Sequence, residues 1–176
     1  MLFRSVRKTE AFTAPITFLA LIVVFGSIVA AFLPLAVAVL AIVCTLVVLS
    51  LLTGFLDVTT FALNLTTALG LGLAVDYSLF VVSRYREELE TGAGTAVAIG
   101  RALQTAGRTV AFSAMTVMIS MFALLVFPVP YLQSFAYAGM AVVAFSALAS
   151  IVVLPAILAV LGPRIDRFRI MKPRTG

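Results

Sequence analysis

Two stretches of this chain carry no charged side chain at all: the 46 residues 11–56 and the 55 residues 109–163. A helix crosses a bilayer with about 20 apolar residues, so each stretch holds two spans and a short turn. Between them, residues 58–83 hold a single charge, Asp76, and make a further span. Soluble domains carry roughly 25% charged residues, whereas this chain has 11%, with 63% hydrophobic. That excludes an ordinary soluble enzyme, a nucleic-acid-binding module and a disordered chain. The fold class that follows is an all-α membrane protein, a five-helix transmembrane bundle. Its first partner is the lipid bilayer, and no nucleic-acid partner is expected.

The spans are read at residues 11–30, 34–55, 60–83, 109–127 and 134–161, with a loop at 84–108 and a polar tail at 163–176. Pro34 suits a helix start, where its missing N–H costs nothing, and Pro155 predicts a kink near the end of the fifth span. Pro128 and Pro130 predict a tight turn before that span. Ala96, Val97, Gly100 and Leu103 recur at helical spacing and predict a short helix lying at the membrane surface. Of the Lys and Arg residues, nine fall on the side of the loop and tail and three near the N-terminus. The positive-inside rule makes the loop and the basic tail cytoplasmic, in the plasma membrane. Residues 1–10 are then an extracytoplasmic stub. A basic stub is hard to translocate without a preceding helix, so the chain is expected to be the interior of a longer one. Arg4 to Phe25 has the basic start and apolar middle of a signal peptide. The apolar run continues through Phe32 into Pro34, and the segment is therefore read as a span.

Chemistry is narrowly limited. With no histidine and one cysteine, Cys44, in an apolar run, neither a metal centre nor a disulfide is expected. Cys44 is read as a small core residue. No phosphate-binding G-x-x-x-x-G-K-[ST] loop occurs, no nucleophile is paired with a base, and no cofactor or catalytic residue is expected. The chain is read as a non-enzyme.

Asp76 is the exception. It lies eight residues before Arg84, hence roughly 12 Å up a helix, near the middle of the hydrocarbon. A carboxylate there costs on the order of 2.5–3.5 kcal/mol, and such residues face a bundle interior or a wet cavity and mark ion or proton pathways. Desolvation favours the protonated carboxyl, which suits Asp76 to loading and unloading a proton. The bland alternative is a hydrogen bond to a neighbouring helix. Tyr77 can donate to a carboxylate, but successive helical positions point about 100° apart, so each residue of the pair should meet a partner elsewhere. Gly70 and Gly72, within Gly70-x-x-x-Ala74 and Ala68-x-x-x-Gly72, permit close helix approach. Asn64, Thr66 and Thr67 add polar groups towards the other end of this span. Thr109, Ser113, Thr116 and Ser120 form one hydroxyl stripe down the fourth span. Either each bonds its own i−4 carbonyl or the stripe faces a polar interior near Asp76. Glu87 and Glu88 are read as solvated.

The run Gly70-Leu71-Gly72-Leu73-Ala74-Val75-Asp76-Tyr77-Ser78-Leu79-Phe80-Val81-Val82-Ser83-Arg84-Tyr85-Arg86-Glu87-Glu88 resembles the fourth transmembrane helix of the MMPL transporters, within the resistance-nodulation-division superfamily. Thr105-Ala106-Gly107-Arg108-Thr109-Val110-Ala111-Phe112-Ser113-Ala114 resembles the start of the fifth helix of that family, and Leu161-Gly162-Pro163-Arg164-Ile165-Asp166 the end of the sixth. The resemblance covers about residues 11–166. It implies helices two to six of the N-terminal half of a proton-driven exporter of lipids and other hydrophobic compounds, with Asp76 and Tyr77 as the proton relay. It also implies partners: a lipid or hydrophobic substrate, and a second transporter half, on the same longer chain or as a separate subunit. The family's first helix and its porter domains have no counterpart in these residues. The same helices also resemble the sterol-sensing domain of relatives of this superfamily, which implies the alternative of a lipid-binding or sensing module.

Overall fold

The computed structural model describes residues 28–53 and 60–162. The expected stub 1–10, nearly all of the expected first span, the end of the expected second span and the basic tail lie outside the described residues. Met1–Phe32 with Pro163–Gly176 make one unit, of which only the first turn of a helix is described, and Leu33–Gly162 make the other. Among the described residues every regular element is helical. Four helical spans are long and apolar enough to cross a bilayer, at Phe32–Leu51, Thr60–Glu90, Thr95–Val126 and Pro130–Leu161.

Helix α1 covers Ile28–Leu52 and takes Pro34 inside it rather than at its start. The fixed φ of proline fits the helix, and membrane helices tolerate proline where neighbouring groups or a local change of the turn re-satisfy the freed carbonyl. Helix α2 covers Thr60–Glu90 and runs seven residues beyond the expected end at Ser83. It stops at Gly92, whose φ of 87° accepts the left-handed turn, with Gly92 N–H donating to the Leu89 carbonyl at 3.0 Å.

The predicted surface helix is α3, Thr95–Ala102. It is not separate from the fourth span: a π turn, Leu103–Gly107, leads directly into α4, Arg108–Phe122. A 3₁₀ turn at Ala123–Val126 and a tight turn at 127–129, closed by Val129 N–H donating to the Phe127 carbonyl at 2.8 Å, connect α4 to α5, Pro130–Leu148. A second π turn, Ala149–Val153, precedes α6, Leu154–Leu161, which carries Pro155 in its first turn. Pro155 supplies no N–H and its ring crowds the carbonyl one turn back. The wider π turn takes up that strain while the span stays helical.

Helix α5 is the centre of the unit, packed against both α2 and α4. Along its most apolar stretch the Pro130–Leu161 span is 50% buried, against 11% for that of Thr95–Val126. Helices α2 and α5 run parallel: Phe61 stacks edge-on against Tyr131 at 5.8 Å near both helix starts, and Ser78 meets Ser150 near the far ends. Leu49 of α1, Ala62 of α2 and Ala138 of α5 close one end of the core. Gly70 marks the tightest crossing. A Cβ there would stand 2.7 Å from Ile42 of α1 and 2.9 Å from Val142 of α5.

A candidate proton-relay site on the second helix

The buried face of α2 is Gly70, Ala74, Tyr77, Ser78, Val81, Val82, Tyr85 and Glu88, a helical repeat that keeps one stripe against α5. Asp76 is off that stripe. It lies exposed at the surface of the unit, in line with Ala68, Gly72, Phe80, Ser83 and Glu87. Among the described residues Asp76 is not packed against α5, because the small residues that let α5 approach sit on the other side of the helix. The two small-xxx-small patterns divide accordingly. Gly70 and Ala74 are buried, whereas Ala68 and Gly72 are exposed. A Cβ at Gly72 would meet nothing within 4 Å among the described residues.

Tyr77 turns inward. It is 6% exposed, and its Oη has no hydrogen-bond partner among the described residues. Leaving a buried hydroxyl unpaired costs about 1–3 kcal/mol, a cost that packing alone gives no reason to retain. Asp76 and Tyr77 thus address opposite surroundings, as their 100° offset requires.

The exposed stripe of α2 continues into a groove of about 570 Å³ lined by Phe80, Ser83, Arg84, Glu87, Thr105, Ala106 and Thr109. Here the start of α4 faces α2. From Thr109 the hydroxyl stripe climbs α4 antiparallel to α2, and seven residues, about 10 Å, bring Thr116 to the level of Asp76. Thr109, Thr116 and Ser120 are exposed, and Ser113 is half-buried. Thr109 donates to the Thr105 carbonyl at 3.2 Å, Thr116 to Phe112 at 2.9 Å and Ser120 to Thr116 at 3.0 Å. These hydroxyls satisfy themselves on their own helix, and their second lone pair stays open to a partner.

Glu88 was expected in solvent and is instead buried, at 7% exposure. Arg84 reaches it at 3.0 Å and Arg101 at 3.2 Å, while Arg84 also holds Glu87 at 2.7 Å. Glu88 therefore pins α3 to the end of α2, next to the groove. Its signal in the sequence is the buried repeat of α2, which reaches Glu88 through Val81 and Tyr85. Cys44 lies half-buried beside an apolar groove of about 310 Å³ that Leu40 and Ala41 of α1 form with Phe145, Leu148, Ala149, Val152 and Val153.

Several apolar helices long enough to span a bilayer, with a carboxylate part-way along one of them, define a multi-pass membrane protein. The chain belongs to the MMPL family, whose model matches residues 2–175. It is 44% identical over 160 residues to the trehalose monomycolate exporter MmpL3 of Mycolicibacterium smegmatis, covering 91% of this chain and 16% of that protein. It is 36% identical over 157 residues to the mycolic acid-containing lipids exporter MmpL11 of the same organism, covering 89% and 16%. It is 37% identical over 154 residues to the heme uptake protein MmpL11 of Mycobacterium tuberculosis, covering 88% and 16%. The chain thus spans about a sixth of the length of these relatives.

Proposed function

We propose that this chain is the membrane portion of a proton-motive-force-driven exporter of lipids or other hydrophobic compounds, with Asp76 and Tyr77 as its proton relay. The observation that carries the reading is the exposure of Asp76 at mid-span beside Ala68 and Gly72. A carboxylate left in hydrocarbon is costly, so in a membrane this face requires covering protein or water. Ala68 and Gly72 leave room for another helix to come close. A second transporter half docked on this face would enclose Asp76 in a polar, gated site, with Thr116 and Ser120 on the flank. The cargo that gives the relatives their names ranges from mycolate lipids to heme, which supports a hydrophobic substrate class and no single compound. In this reading residues 84–108 face the cytoplasm of a plasma membrane and the N-terminus lies outside.

The test is a chimaera in which this chain replaces the matching segment of the M. smegmatis exporter. Restored export in a depleted host, abolished by Asp76→Asn with the protein still in the membrane, is the expected result. Undiminished export by the Asp76→Asn chimaera overturns the relay.

The alternative of a lipid-binding or sensing module is favoured by one feature, the apolar groove between α1 and α5. A photoactivatable acyl chain crosslinking to that groove, in a chain that leaves the chimaera inactive, would select this second reading.

A further inference from the structure

Helix α4 sits between two irregular turns that deviate from α-helix in opposite senses. Before it, the π turn Leu103–Gly107 takes one residue more than an α-helix needs, which withholds about 100° of rotation and about 1.5 Å of rise. After it, the four residues of the 3₁₀ turn Ala123–Val126 wind about 80° and rise about 2 Å further than four α-helical ones. When both turns relax to α-helix these changes nearly cancel. The two ends then stay in place while α4 turns and advances by one residue between them.

The sequence of α4 fits such a step. Each hydroxyl residue directly precedes a residue on the α5 side: Thr109 precedes Val110, Ser113 Ala114, Thr116 Val117 and Ser120 Met121. Val110 and Ala114 are buried, Val117 and Met121 half-buried, and Met121 Sδ lies against Gly139 of α5. An advance of one residue puts each hydroxyl residue in the place of its neighbour. Thr matches Val in shape, its hydroxyl apart, and Ser adds one oxygen to Ala. Thr109, Thr116 and Ser120 already donate to carbonyls of their own helix, so they carry no unpaired proton into the interface.

Ser113 makes none of these bonds, and Ser146 of α5 is fully buried with an Oγ that has no partner among the described residues. An orphan of that kind calls for a cause. Met121 beside Gly139 sets the antiparallel register of α4 and α5. Seven residues along each helix, in opposite directions, place Ala114 level with Ser146. The advanced Ser113 stands where Ala114 stood. Arg108, exposed in this structure, moves to the place of Thr109 in the groove that Glu87 lines.

We propose that α4 has two positions one residue apart, and that the second seats Ser113 on Ser146. The advance also carries Phe112, Met115 and Ile119 to the places of Ser113, Thr116 and Ser120, so an apolar stripe replaces the hydroxyl one at the level of Asp76. Only the bearing on Asp76 rests on the relay reading above; the motion does not.

Cysteine pairs in the full chain, in liposomes and a Cys44→Ala background, test the motion. Gly139→Cys with Met121→Cys reports the position in this structure, and Gly139→Cys with Ser120→Cys the advanced one. Oxidation should link both pairs and leave Gly139→Cys with Ile119→Cys unlinked. Deletion of Gln104, an exposed residue of the π turn, uses up the extra residue and locks α4. The Met121 link should then persist and the Ser120 link fall several-fold. Ser113→Ala and Ser146→Ala should each lower the Ser120 link, and the double variant no further. No Ser120 link, or one unchanged by the deletion, overturns the motion. Loss of the Met121 link on deletion also overturns it, because a π turn absorbs the missing residue. A Ser120 link that ignores both serine variants overturns the seat of Ser113 on Ser146 alone. In the chimaera, the deletion should lower export several-fold. Full export overturns the role beside Asp76 and leaves the motion standing. Full export by Asp76→Asn sinks the relay reading instead, and the links still decide the motion.

Discussion

Asp76 and Tyr77 are neighbours in sequence and face away from each other across α2: the carboxylate is exposed at the surface of the unit, while the phenol is buried without a hydrogen-bond partner among the described residues. The two should therefore fail differently. Asp76→Asn keeps shape and hydrogen bonding and removes titration, so proton-driven export should be lost with folding and insertion intact. Tyr77→Phe removes an unpaired hydroxyl, so it should melt no lower than the parent while slowing export more mildly. A melting temperature lowered by Tyr77→Phe would show that the hydroxyl has a stabilising partner.

The two glycines of α2, Gly70 and Gly72, should separate as well. Gly70→Ala pushes a methyl group against Ile42 and Val142, both β-branched and stiff, and should cost about 1–3 kcal/mol. Gly72→Ala meets open space and should leave the melting temperature of the chain within the change typical of a surface site, about 0.5 kcal/mol. Gly139→Ala meets the Met121 sulfur at 2.9 Å, and the flexible thioether should yield. Thermal melts in detergent rank the three: equal losses at Gly70 and Gly72 would contradict the packing.

Glu88 should be the most costly of the surface-end charges to remove. Glu88→Gln leaves Arg84 without one partner and unlatches Arg101, at a cost of about 1–3 kcal/mol. Glu87→Gln should cost under about 1 kcal/mol, because that pair is solvent-exposed. Amide hydrogen exchange across α3 is the readout, and faster exchange at residues 95–102 in Glu88→Gln alone is expected.

Topology is open to direct measurement. In a Cys44→Ala background, a cysteine at Gly94 should be blocked by impermeant maleimide only after the membrane is opened. Labelling from the outside would reverse the orientation given by the positive-inside count.

The helical class, the membrane and the family likeness are all legible in the sequence, because hydropathy and the Asp-Tyr run are local properties. Charge-free length dictates a spanning helix wherever backbone groups must bond internally, and no neighbour is needed to see it. Which side of a helix is buried is a different kind of fact. Gly70 and Gly72 belong to identical sequence patterns, and only the approach of Ile42 and Val142 decides that one is packed and the other open. The inward turn of Tyr77, the burial of Glu88 between Arg84 and Arg101, and the unpaired Ser146 follow from where α5 and α3 come to rest. The two π turns were equally hidden, since a wider turn depends on strain shared across the helix. Sequence alone settled what the chain can be dissolved in and which residue is costly there; the packing of α2 against α5 settled which face that residue presents.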